Sequence, residues 1–178
     1  MARLLPLALC ASLALGAGVQ AASAAQVRAD LYLATAAGPG VLVGSAVLRD
    51  TAEGARIAFD LRGLPPGQHG LHIHANGSCA ATIKDGKMTP AGAAGGHLDP
   101  GMTGRHEGPM GMGHLGDLPA ITVGLSGTDH EALTAPRIKD VTRLAGRSLM
   151  IHAGGDNYSD QPAPLGGGGA RLACGLIK

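Results

Sequence analysis

Short stretches in which apolar and polar residues alternate, each closed by Gly, Pro, Asp or Asn, constrain this chain more than any other feature. Val27, Ala29, Leu31 and Leu33 form one set, and Val41, Val43, Ser45 and Val47 another. Ile57, Phe59 and Leu61 follow, then Leu71 with Ile73, then Ile121, Val123 and Leu125. Ser148 to Ile151 and Ala170, Leu172, Cys174 and Leu176 complete the series. A period of two puts successive side chains on opposite faces of a strand, and no segment sustains the 3.6-residue period of a helix. The pattern predicts around eight strands in an antiparallel sandwich or flattened barrel. Thirty glycines in 178 residues agree with a chain of many tight turns.

Two regions break the rhythm. Residues 75–118 and 153–169 are strand-poor and glycine-rich, the second ending in Gly166-Gly-Gly-Gly169. Loops this long inside a compact domain are usually functional or disordered, and the histidines placed here favour function. The glycine run lacks the Lys-Ser/Thr of a phosphate cradle, so it reads as a place where backbone passes close to something bulky or bound.

Residues 1–24 carry one basic residue, an apolar run from Leu4 to Val19 and an Ala22-Ser23-Ala24 cleavage pattern. This is the design of a secretory signal peptide, and the run is short for a membrane anchor, which needs ~20 residues. The expected mature domain is therefore 25–178. Loss of Arg3 leaves thirteen basic against thirteen acidic residues, a balance without the basic surface that nucleic-acid binding requires. Aromatic residues at 2% supply no base-stacking platform. Cys79 and Cys174 remain after cleavage. An even pair in an oxidising compartment reads as a disulfide, with two buried free thiols as the alternative.

The chain has eight histidines, from His69 to His152. His72-Ile73-His74 puts two imidazoles on one face of a strand, which suits a transition metal better than calcium or magnesium. His97, His106, His114 and Asp117 offer three imidazoles and a carboxylate, a set that tetrahedral zinc accepts. They are spaced so that a loop would wrap the ion. His152 ends an apolar strand and is placed to join the His72/His74 pair. His69 reads as a turn residue bonded to backbone, and His130, between Asp129 and Glu131, as solvent-exposed. Met102, Met110 and Met112 read as loop packing, with soft copper ligation as the alternative.

The stretches Gly67-Gln-His-Gly-Leu-His-Ile-His74, Gly95-Gly-His-Leu-Asp-Pro100, His106-Glu-Gly-Pro109 and Gly113-His-Leu-Gly-Asp-Leu-Pro119 belong together. With Arg147-Ser-Leu-Met-Ile-His-Ala-Gly-Gly-Asp-Asn-Tyr-Ser-Asp160 and Leu165-Gly-Gly-Gly-Gly-Ala-Arg-Leu-Ala-Cys-Gly175, they make residues 26–178 resemble the bacterial secreted copper/zinc superoxide dismutases. The resemblance implies an all-β, eight-stranded antiparallel Greek-key barrel or sandwich with two long functional loops. It implies copper held by His72, His74, His97 and His152, and zinc held by His97, His106, His114 and Asp117, with His97 shared. It further implies an Asp156 that links His72 to His106, a Cys79–Cys174 disulfide and an Arg171 that guides the substrate. Leu71, Ala75, Leu98 and Met110 depart from residues common in relatives, which touches packing and subunit contacts.

The implied reaction converts two superoxide anions and two protons to dioxygen and hydrogen peroxide by cycling Cu(II)/Cu(I). His97 would leave copper on reduction and carry a proton. The alternative is a non-catalytic copper/zinc buffering protein of the cell envelope, but an arginine aimed at an anion argues for a substrate. The implied partners are superoxide alone, with no nucleic acid and no stable membrane anchor, in a monomer or homodimer. The implied location is the periplasm, with secretion as the alternative.

Overall fold

The computed structural model describes residues 24–178, and the segment read as a signal peptide lies outside the described residues except for Ala24. Eleven strands occur among them: β1 (Gln26–Thr35), β2 (Gly38–Thr51), β3 (Gly54–Leu61), β4 (Gly67–His69), β5 (Leu71–His74), β6 (Thr82–Lys84), β7 (Lys87–Thr89), β8 (Ile121–Val123), β9 (Ala132–Ala135), β10 (Ser148–His152) and β11 (Arg171–Leu176). Seven form one antiparallel sheet in the order β5-β10-β11-β1-β2-β3-β9. β4 pairs with β8 and leads into β5 across Gly70 alone.

The alternation becomes strand for the expected reason. β1 buries Val27, Ala29 and Leu31 and exposes the residues between them. β3 turns Ala55, Ile57, Phe59 and Leu61 inward. These side chains meet Leu48, Leu71, Ile73, Leu149 and Ile151 in one core.

The strand count exceeds the eight expected. β6 and β7 form a hairpin inside the loop at 75–118, turning on Asp85-Gly86 with φ values of 52° and 73°. Both positions are left-handed, as a tight two-residue hairpin turn demands. None of the six residues in β6 and β7 is buried, so no apolar alternation marked them. β9 carries no such alternation either, since Ala135 is its sole buried residue.

β5 and β10 are buried at every position. Leu71, Ile73, Leu149 and Ile151 face the core. The opposite face carries His72, His74, Ser148, Met150 and His152, in a register that sets Met150 against His72 and Ser148 against His74. A second apolar cluster covers that face, formed by Met150 with Ala91, Ala94, Cys79 and Cys174.

The Cys79–Cys174 disulfide is formed, with Cα atoms 5.7 Å apart and a sequence separation of 95. It ties the start of the long loop to β11. Closing so long a loop restricts the unfolded chain, so replacing both cysteines by alanine is expected to cost about 4 kcal/mol. Guanidinium unfolding of the metal-free mature chain measures this, and an unchanged midpoint would contradict it.

Candidate metal centre

After β7 the chain runs back beside β5. The Ile73 N–H donates to Gly116 C=O at 2.9 Å, Leu98 N–H to Ile73 C=O at 2.7 Å, and Leu118 N–H to Leu71 C=O at 3.2 Å. These bonds set Asp117 opposite His72 and His97 opposite His74. The approach requires glycine at 116, where a Cβ would lie 2.2 Å from the Ile73 carbonyl oxygen. Residues far apart in sequence thus reach one buried place through ordinary strand-like pairing.

The hydrogen bonds fix which ring nitrogens remain free. His74 Nδ1 donates to Gly95 C=O at 2.9 Å and His152 Nδ1 to Gly169 C=O at 3.2 Å. Their two Nε2 atoms, left as acceptors, face each other 3.4 Å apart. His72 Nε2 and His106 Nε2 each donate to Asp156, one to each carboxylate oxygen, both at 2.8 Å. His72 Nδ1, His97 Nε2, His106 Nδ1 and His114 Nδ1 are buried with no hydrogen-bond partner. His97 Nδ1 lies 2.9 Å from one Asp117 oxygen, and His106 Nδ1 3.0 Å from the other.

His72, His74, His97 and His152 each offer a nitrogen within 4.8 Å of the others, and so do the donors of His72, His97, His106 and Asp117. His114 adjoins the second group, its Nδ1 3.3 Å from Asp117. Buried acceptor nitrogens that face one another or a carboxylate are unfavourable unless a cation lies between them. The donor set therefore fits two metal ions: an all-imidazole position and a mixed imidazole–carboxylate position, with His72 and His97 common to both groups.

Ionisation follows the same geometry. Burial, reinforced by neighbouring imidazoles, lowers His74 from 6.5 to about 2 and His152 to about 3. Burial also lowers His97, to about 4, against the opposing pull of Asp117. In His106 burial opposes the charge too, but Asp117 and Asp156 outweigh it and raise the group to about 9. Burial works against charge on both aspartates, yet the histidine contacts hold their carboxyls well below the usual range.

Arg171 begins β11 and pairs in register with His152. Its guanidinium donates to the carbonyls of Ala91 and Gly95 and stays partly exposed. Gly95 C=O thus holds both Arg171 and His74, a role no sequence pattern announces because every residue has a carbonyl. Asp160 likewise has no signature in the sequence, because its partners are backbone groups. Its carboxylate accepts the backbone N–H of His106 at 2.9 Å and of Leu165 at 3.0 Å, joining the two long loops. The glycine run closes over the centre: at Gly166, φ 71°, a Cβ would sit 2.0 Å from Asp156 Oδ1.

His69 lies on β4 rather than on a turn, and its ring nitrogens are 2.7 and 2.8 Å from the carbonyl oxygens of His152 and Pro65. His130 is exposed, as expected. Met102, Met110 and Met112 do not pack the loop, being 90%, 78% and 75% exposed.

Fold and centre define an all-β metalloprotein with two adjoining metal positions. The copper/zinc superoxide dismutase (SODC) family matches residues 42–177. The chain belongs to that family. It is 56% identical over 162 residues to superoxide dismutase [Cu-Zn] 2 of Salmonella typhimurium, covering 91% of this chain and 92% of that one. The Cu/Zn superoxide dismutase structure from Brucella abortus matches with a TM-score of 0.85 at 49% identity, over 86% of this chain and all of the other. The solution structure of the monomeric enzyme from Salmonella enterica matches with a TM-score of 0.78 at 55% identity, with the same coverage of 86% and 100%. The protein is accordingly an oxidoreductase that uses copper and zinc and takes superoxide as substrate, which favours the enzyme over a buffering protein.

The lowered histidines carry a consequence for the metal-free chain. Below pH 6.5 the unfolded state protonates all three, while the folded state refuses protons until about 4 or lower. Their contribution to stability is therefore present above pH 6.5 and falls as pH drops. His106, raised to about 9, contributes fully below 6.5 and loses that contribution only towards alkaline pH. The unfolding midpoint of the metal-free chain is expected to be lower at pH 5 than at pH 7, and equal midpoints would contradict the burial of neutral imidazoles.

Proposed function

We propose that His72, His74, His97 and His152 hold the copper, that His97, His106, His114 and Asp117 hold the zinc, and that His97 serves both. The observation that carries this reading is the set of free nitrogens: His97 alone has one nitrogen against Asp117 and the other buried without a partner. His72 also lies near the second group, but its Nε2 is committed to Asp156, so it has a single nitrogen to give and that serves copper. His114 completes the zinc set in its place. Asp156 fixes the tautomers of a copper ligand and a zinc ligand together.

When bound, copper supplies the one-electron couple that superoxide dismutation needs, and zinc, which has no second accessible oxidation state, supplies charge and shape. The chain's own residues do the rest. Arg171 presents a fixed positive charge beside His152, held rigid by two backbone carbonyls and open to the anion. It draws superoxide in and orients it by a charge-assisted hydrogen bond. His97 Nε2, bonded to no other protein group, is the atom placed to take up a proton and pass it to the reduced substrate. Each proposed ligand comes from one chain, so a monomer suffices for the chemistry and a homodimer would arise from surface contacts elsewhere.

The working protein is residues 25–178, released from a signal peptide at 1–24 and active in the periplasm. The disulfide supports export, since such bonds persist in oxidising compartments. Among the described residues no helix is long and apolar enough to cross a membrane.

Replacing Arg171 by Ala in the metal-loaded enzyme is expected to lower kcat/KM by about tenfold at low ionic strength and to flatten its decline with added salt. Pulse radiolysis across a salt series measures both. A variant as fast as the parent, with the same salt dependence, would rule out the guiding role.

A further inference from the structure

Of the histidines in the centre, His114 is held differently. His72, His74, His97, His106 and His152 each have one ring nitrogen hydrogen-bonded to a carboxylate or a carbonyl. No hydrogen bond to the His114 ring occurs among the described residues, and its buried Nδ1 is unpartnered. Metal-binding imidazoles ordinarily owe their orientation to a bond on the second nitrogen. For His114 that constraint is missing from the side chain, and it reappears on the backbone. Arg137 Nη1 donates to the carbonyl of His114 at 2.9 Å, and Nη2 to the carbonyl of Gly113 at 2.8 Å. The His114 N–H donates in turn to Arg105 C=O at 2.9 Å.

We infer that Arg137 is a positioning residue for zinc, aiming His114 through the two carbonyls that its guanidinium grips. The inference rests on the assignment of His114 to zinc. Arg137 suits the task because its base is firm. It lies two residues beyond β9, after Pro136, in a turn flanked by the buried Ala135 and Ile138, where the Ile138 N–H donates to Ala135 C=O at 3.2 Å. A side chain rooted at the edge of the main sheet thus reaches into a loop with little regular structure. Among the described residues Arg137 has no ion pair, so its planar fork is free to meet two oxygens at once. Its charge cannot be the reason it is there, because a cation beside the site opposes the binding of another cation.

That last point supplies the test. Arg137→Lys keeps the charge but offers a point donor that cannot span two carbonyls in the same geometry. Zinc affinity of the metal-free mature chain, measured by chelator competition, is expected to fall about 10- to 100-fold in the variant, while copper affinity stays within about threefold. Cobalt(II) placed in the zinc position reports the ligand geometry independently, and its visible spectrum is expected to shift. Unchanged zinc affinity with an unchanged cobalt spectrum would overturn the inference. So would a parallel fall in zinc and copper affinity, which marks general loosening of the fold. His114→Ala serves as the companion: if it binds zinc as tightly as the parent, the ligand assignment itself fails, whereas a loss there with none in Arg137→Lys rejects only the clamp.

Discussion

Imidazole nitrogens buried without a protein partner are tolerated only where positive charge is supplied to them. Four such nitrogens meet in this structure, together with the opposed Nε2 atoms of His74 and His152. Each unsatisfied buried group costs on the order of 1–3 kcal/mol, so the centre is a liability to the metal-free fold and an asset once cations occupy it. In the metal-free chain Asp117 and Asp156 outweigh burial and raise the affinity of His106 for a proton, and that proton meets part of the demand. Copper and zinc answer the rest.

The remainder of the architecture serves to hold those nitrogens in place. β5 and β10 form a floor, stiff because one face packs into the core and the other is roofed. The loop from β7 onward runs along β5 by backbone pairing, so Asp117 and His97 arrive opposite His72 and His74. Asp156 joins His72 and His106 with one carboxylate, and Asp160 ties the two loops together by their backbones. The disulfide pins the near end of the first loop to β11, the strand that also supplies Arg171. Arg171, the clustered histidines and the covalent tie therefore share one assembly.

Much of this was legible in the sequence because the signals were periodic or chemically rare. Val27, Ala29 and Leu31 announce an inward strand face, and His72-Ile73-His74 announces two imidazoles on one side of a strand. His97, His106, His114 and Asp117 stand out in a chain with few charges. What stayed hidden has a physical reason in each case. β6 and β7 bury nothing, so they carry no alternation, although Asp85-Gly86 marks their turn. The Gly95 carbonyl that holds both His74 and Arg171 has no residue-specific trace. The exposure of Met102, Met110 and Met112 could not be separated from packing by residue type, because methionine serves either place.

One set of histidines makes this protein a redox enzyme rather than a metal store. The most direct test is the superoxide dismutation rate of residues 25–178, loaded with copper and zinc and freed of unbound metal, beside that of His152→Ala. The parent rate is expected to approach the diffusional ceiling of ~10⁸–10⁹ M⁻¹s⁻¹, and the variant to retain zinc but lose the activity. A parent chain that binds both metals tightly and turns over superoxide no faster than His152→Ala would contradict it.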